Sequence, residues 1–71
     1  MTKKQAEALV KGDKVVNKDG VEYTVIRVCG GWNGFLSSRE IAQKNGYDWY
    51  GIVVRESPFL MYDHKDVKIV K

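Results

Sequence analysis

The chain has 71 residues, enough for one domain around one core. Hydrophobic residues make up 44% and charged residues 30%, and twelve Lys and Arg against nine Asp and Glu leave a net charge of +3, the mix of an ordinary soluble globule. Its longest apolar runs are three residues, Ile52-Val53-Val54 and Phe59-Leu60-Met61 among them, far short of the about 20 that a spanning helix needs or the roughly 7–15 of a secretory signal. Cys29 stands alone, which excludes an intrachain disulfide and a two-cysteine zinc knuckle and makes a reducing cytoplasm the expected setting.

Residues 1–12 predict an N-terminal helix. Thr2 and Gln5 have the spacing of a capping box, Gln5-Ala6-Glu7-Ala8-Leu9 favours helix, and Gly12 offers a left-handed stop. At about two turns such a helix cannot persist alone, so it must dock through Ala6, Leu9 or Val10. From Asp13 the pattern changes to strand. Lys14-Val15-Val16-Asn17 and Glu22–Val28 are rich in β-branched residues and flank Asp19-Gly20, a hairpin signal whose central residues favour positive φ.

Residues 29–47 read as a loop-and-helix insertion. Three glycines among Cys29–Phe35 argue against regular structure, Ser37 and Glu40 form a second capping box, and Asn45-Gly46 supplies a stop. Insertions of this length in small domains tend to be functional or to carry their own structure. Trp49–Arg55 follows as the next strand, with Tyr50, Ile52 and Val54 on one face and Trp49, Val53 and Arg55 on the other. Gly51 in its middle suggests a bend or bulge. Glu56-Ser57-Pro58 turns the chain, Phe59–Tyr62 makes a fourth strand, Asp63–Asp66 fits one tight helical turn, and Val67–Val70 closes as a fifth strand with Val67 and Ile69 inward.

Positive charge gathers at the two ends. Residues 1–18 carry a net +3 and residues 64–71 a net +2, against −2 for the segment between them. The bland account is that terminal lysines keep a small protein soluble.

The ordered pieces Lys11-Gly12-Asp13-Lys14-Val15-Val16, Asp19-Gly20, Tyr23-Thr24-Val25-Ile26-Arg27-Val28 and Asp66-Val67-Lys68-Ile69-Val70 cover about half the chain. With five short strands and a tight turn before the last, they resemble the SH3-like small β-barrels of the KOW and Tudor type. The second glycine of the KOW pattern is absent before Tyr23. Compact variants of this kind also resemble small proteins encoded by phages and other mobile elements. The resemblance implies a mainly β fold with short helices: a five-stranded barrel carrying an N-terminal helix and the insertion between strands two and three. It further implies that the first and last strands lie side by side. Lys14, Lys18, Lys65, Lys68 and Lys71 then form one basic region, with Lys3, Lys4 and Lys11 nearby. Lysines neutralise phosphates and release counterions without reading sequence.

Trp32, Phe35, Tyr47, Trp49 and Tyr50 cluster around the insertion. Such rings stack on bases or anchor a partner, or they fill the core and cover the open end of a small barrel. Tyr50 shares a face with Ile52 and Val54 and is expected in the core, whereas Trp32, flanked by glycines, fits either role. Gly30-Gly31-Trp32-Asn33-Gly34 lacks the Lys-Ser/Thr of a phosphate-binding loop and reads as a flexible segment. A Cys29–His64 dyad is formally available, but a cysteine ending a strand is usually a small buried apolar group. Asp63, His64 and Asp66 have metal-ligand chemistry, yet acids at a tight turn are better explained by local hydrogen bonds. No catalytic residue, metal or cofactor is expected.

Two functions remain. One is a non-enzymatic module binding nucleic acid through Lys14, Lys18, Lys65, Lys68 and Lys71, with Arg27, Arg39 or Arg55 as additions. The other is a module that docks on and inhibits a host protein through Trp32, Phe35, Arg39 and Trp49. Neither needs a membrane, and a monomer is expected, with weak self-association through an open sheet edge as a further option.

Overall fold

The computed structural model describes residues 1–32, 35–46 and 48–70, and the side chains of Trp32, Phe35 and Leu36 lie outside that description. Its elements are α1 (Lys3–Ala8), β1 (Lys14–Asn17), β2 (Glu22–Thr24), β3 (Arg27–Trp32), β4 (Phe35–Ser38), α2 (Arg39–Asn45), β5 (Trp49–Glu56), β6 (Phe59–Asp63), a 3-10 turn (His64–Asp66) and β7 (Val67–Ile69). The strands form two antiparallel sheets, one ordered β2-β1-β7 and the other β4-β3-β5-β6, and do not close into a barrel among the described residues. Among those residues no helix is long and apolar enough to cross a membrane.

The expected first hairpin is present, with Val15 opposite Tyr23 and Val16 opposite Glu22. Its loop is longer than a two-residue turn. Asn17 Oδ1 accepts from the amides of Asp19 and Val21, both at 3.0 Å, and Gly20 takes the left-handed conformation at φ +83°. The expected second strand is split at Val25-Ile26. Val25 N–H donates to Asp13 O at 2.7 Å, toward β1, while Ile26 N–H donates to Val53 O at 2.8 Å, on β5. Residues 22–32 therefore form one bent ribbon that leaves the first sheet and enters the second, the usual way a strand turns a corner between packed sheets.

Several local expectations need correction. The capping box of Thr2 and Gln5 is formed, but α1 ends at Ala8, with Leu9 extended. Gly12, at φ +99°, sits in the turn before β1 and donates to Val25 O. Ala6 and Leu9 dock in the core, whereas Val10 remains 56% exposed. The insertion is not a loop followed by a helix, because β3 runs through Gly30 and Gly31 and pairs with β4, Cys29 lying opposite Ser38 and Gly31 opposite Leu36. The N-cap of α2 is Ser38 rather than Ser37, accepting from Ile41 N–H, and Gly46 closes the helix in the left-handed conformation. Finally, the bulge in β5 falls between Val53 and Arg55, not at Gly51.

The core lies between the sheets. Val15 and Val67 come from the first sheet, Val25 from the bend, and Val28, Tyr50, Ile52 and Val54 from the second. Ala6, Leu9 and Ala42 bring the two helices onto the same cluster. Tyr50 is buried as its alternation with Ile52 predicts, and its hydroxyl donates to Glu7 Oε1 at 3.0 Å, tying β5 to α1.

The outer face of the second sheet is covered by its own side chains. Gly31 lies opposite Trp49 and Gly51 opposite Cys29. A Cβ at Gly31 would overlap the Trp49 indole, and one at Gly51 would overlap the Met61 thioether. These glycines supply space rather than freedom of φ. The ring and the thioether fill the space over these glycines, on the face where Val53 and Cys29 are also buried.

Candidate nucleic-acid interface

Pairing of the first and last strands is the feature on which a basic surface depends, and the structure has it. β1 and β7 run antiparallel, with Val15 opposite Ile69, Val16 opposite Lys68 and Asn17 opposite Val67. Alternation on β7 buries Val67 and leaves Lys68 in solvent. The 3-10 turn before it is fixed from both sides. Asp63 Oδ1 accepts from Lys65 N–H at 2.9 Å, the local turn chemistry expected of this acid. His64, only 3% exposed, points inward and its Nδ1 accepts from Tyr50 N–H at 3.1 Å. With His64 held inside, Lys65 faces water. The amino group of Met1 donates to the carbonyls of His64 and Val67 at 2.9 and 2.8 Å, which brings the start of α1 to the same corner.

Lys18, Lys65 and Lys68 line one shallow groove of about 440 Å³, with Asp66 as its acid and Val16, Asn17, Gly20 and Val67 completing it. Cations outnumber acids, and none of the three lysines has a carboxylate within ion-pair distance among the described residues. Such a groove can hold an anionic backbone but has no ring on which a base could stack.

The other predicted contacts fall elsewhere. Lys14 is exposed on the outer face of the first sheet, on the same side as Lys68 but outside the groove, and Glu22 flanks Val16 from β2, across β1 from Lys68. Lys71 lies outside the described residues. Arg27 belongs to the second sheet, where its Nε is 3.2 Å from Glu56 Oε1, so it does not join the terminal lysines. Arg39 opens α2 and donates to Leu9 O. Lys11, Arg27 and Arg39 instead line a second, larger groove of about 670 Å³ near the start of β1, whereas Lys18 follows its end.

Of the aromatic anchor proposed around the insertion, Trp49 is half-buried against Gly31. The side chains of Trp32 and Phe35 and the whole of Tyr47 lie outside the described residues. Gly30 and Gly31 are strand residues and form no phosphate cradle. Phe59, 51% exposed at the start of β6, and Val10 are two of the four exposed large apolar residues among the described ones, and the sequence singled out neither for partner contact. A phenylalanine opening a strand after proline carries no signal of exposure.

Cys29 and His64 do not meet. The Cys29 thiol is 3.7 Å from Gly51 O and from Met61 Sδ, and burial pushes it above its ordinary range against a smaller opposing effect of Arg27. Burial likewise pushes His64 below its usual value, with the Asp63 carboxylate opposing and Lys65 and the Met1 amino group adding to the shift. The tyrosine at position 50 is pushed up to about 12 by burial and by the Glu7 carboxylate. These are buried groups held in their neutral forms. Among the described residues no cluster of three His, Cys, Asp or Glu is placed to hold a metal.

Compared with known proteins, the chain matches no family model, no curated protein and no solved structure.

Proposed function

We propose that this chain is an SH3-like small-barrel module, non-enzymatic and cytoplasmic, that binds nucleic acid by its phosphates at Lys18, Lys65 and Lys68. The observation that carries the proposal is the β1–β7 pairing, which draws Lys18 to Lys65 and Lys68, 47 and 50 residues further along the chain, around one groove. Support for the barrel type comes from the order β7-β1-β2 beside β3-β5-β6, the ribbon of residues 22–32 common to both sheets, and the 3-10 turn before the last strand. The β4–α2 segment is then an elaboration of the loop between two barrel strands. Recognition is of the backbone, since a groove without rings or bidentate donors cannot discriminate bases.

Fluorescence anisotropy with labelled single- and double-stranded oligonucleotides tests this. Three phosphate contacts give a slope of about −2.7 in log K against log salt, a roughly 40-fold loss of affinity between 50 and 200 mM. Each of Lys18→Ala, Lys65→Ala and Lys68→Ala should flatten that slope by about 0.9 on duplex DNA. Absence of binding at 50 mM salt ends the proposal.

A further inference from the structure

We infer that the larger groove, at the other end of β1, is a docking site for an acidic peptide segment of a protein partner, which seats an apolar side chain between Val10 and Phe59 and its carboxylates against Lys11 and Arg39. This surface shares no residue with the lysine groove, and the inference stands apart from the phosphate-binding proposal.

The groove's volume, about 670 Å³, is enough to accept several side chains. Four segments far apart in sequence build it: the link from α1 to β1, the start of β3, the junction of β4 with α2, and the first residue of β6. Leu9, Ile26, Val28 and Cys29 supply apolar lining, with Ile26 half-buried and Val28 buried, beside the polar Ser37 and Ser38. Val10 and Phe59 also line the groove, 56% and 51% exposed, two of the four large hydrophobic side chains left in water among the described residues. Apolar lining beside two exposed apolar side chains suits the centre of a protein interface, where anchors are buried and polar groups form the rim.

The rim fixes the sign of the partner. Lys11, Arg27 and Arg39 line the groove against a single lining acid, Glu40. Arg27 is paired with Glu56, but both side chains are about half exposed, and a solvent-exposed pair of this kind exchanges partners readily. Arg39 spends part of its guanidinium on Leu9 O, which orients the group at the groove wall and keeps its charge. A net positive rim beside apolar lining complements a peptide that alternates acids with Leu, Ile or Phe. A polynucleotide fits less well. The groove offers one ring, Phe59, for stacking on bases.

Selection from a displayed library of random dodecapeptides on the intact chain tests the inference. The expected result is a consensus joining Asp or Glu to a large apolar residue. A synthetic peptide of that consensus should shift the amides of Val10, Lys11, Ile26, Val28 and Phe59, and Phe59→Ser and Lys11→Glu should each weaken it at least tenfold. Both positions are exposed, so the fold tolerates these changes, which unchanged amide dispersion verifies. Val10→Ser serves as a second variant of the same groove. Lys65→Ala should leave the peptide's affinity unchanged. Failure to recover a consensus, a basic consensus, shifts confined to Lys18, Lys65 and Lys68, or oligonucleotide-induced shifts at Val10 and Phe59 would each overturn it.

Discussion

The two sheets bury apolar surface by different means. The three-stranded sheet has one covered face: Val15 and Val67 point into the core while Lys14, Glu22, Thr24 and Lys68 point to water. The four-stranded sheet is covered on both faces. Val28, Tyr50 and Ile52 meet the core, and on the reverse Trp49 and Met61 lie down over Gly31 and Gly51. One sheet is shaped by simple alternation, and the other by glycines that admit a neighbour's side chain. Accordingly, Gly20 serves the first sheet through its φ, whereas Gly31 and Gly51 serve the second by their lack of a Cβ.

This contrast can be broken most sharply at Gly31. A Gly31→Ala change forces a methyl into the Trp49 indole and should cost about 1–3 kcal/mol, read as a fall in the urea midpoint. Trp49→Ala in the same background should recover part of that loss, so the double variant is non-additive. By contrast, Gly20→Ala meets no neighbour and should cost only the strain of a left-handed alanine, about 1 kcal/mol.

A second test concerns His64, where the sheets meet. Its neutral imidazole accepts from Tyr50 N–H, and burial holds its pKa below the unfolded value of about 6.5. The folded protein therefore binds fewer protons than the unfolded chain. Its contribution is complete above the ordinary histidine range and is lost as pH falls through that range toward the depressed value. One such proton gives a slope of at most about 1.4 kcal/mol per pH unit. Denaturation at pH 7, 6 and 5 should show the decline, and His64→Gln, which retains an acceptor, should flatten it.

Smaller effects follow. Tyr50→Phe removes the hydroxyl that meets Glu7 and should cost about 1 kcal/mol in denaturant melts. In the unsubstituted chain, ultraviolet titration should show one phenol ionising near 12. Smallest of all, each of Lys18→Ala, Lys65→Ala and Lys68→Ala should change stability by no more than about 0.5 kcal/mol while reducing salt-dependent binding. A large loss of stability there would show that these lysines hold the first sheet together.

The first sheet was the more legible in the sequence, and for a physical reason. Strand alternation, the Asp19-Gly20 signal and the Thr2–Gln5 cap are local, complete within a few residues, and the structure has the hairpin, through a longer loop with Gly20 left-handed, and the cap. Strand β3 was hidden because Gly30 and Gly31 ordinarily disfavour strand, and what makes them suitable lies at Trp49 and across β4. Similarly, Lys18, Lys65 and Lys68 follow from strand order alone, whereas Arg27 is separated from them by the sheet change at Val25-Ile26. The larger groove needed four distant segments and left no local trace.

That sheet change has a consequence for how the molecule comes apart. With consecutive amides of one ribbon fastened to Asp13 on one side and Val53 on the other, neither sheet can peel away without dragging the other's hydrogen bonds. Deuterium uptake at Val25 and Ile26 should then proceed only through global opening, at a common rate, while the outer strands β4 and β6 fray earlier.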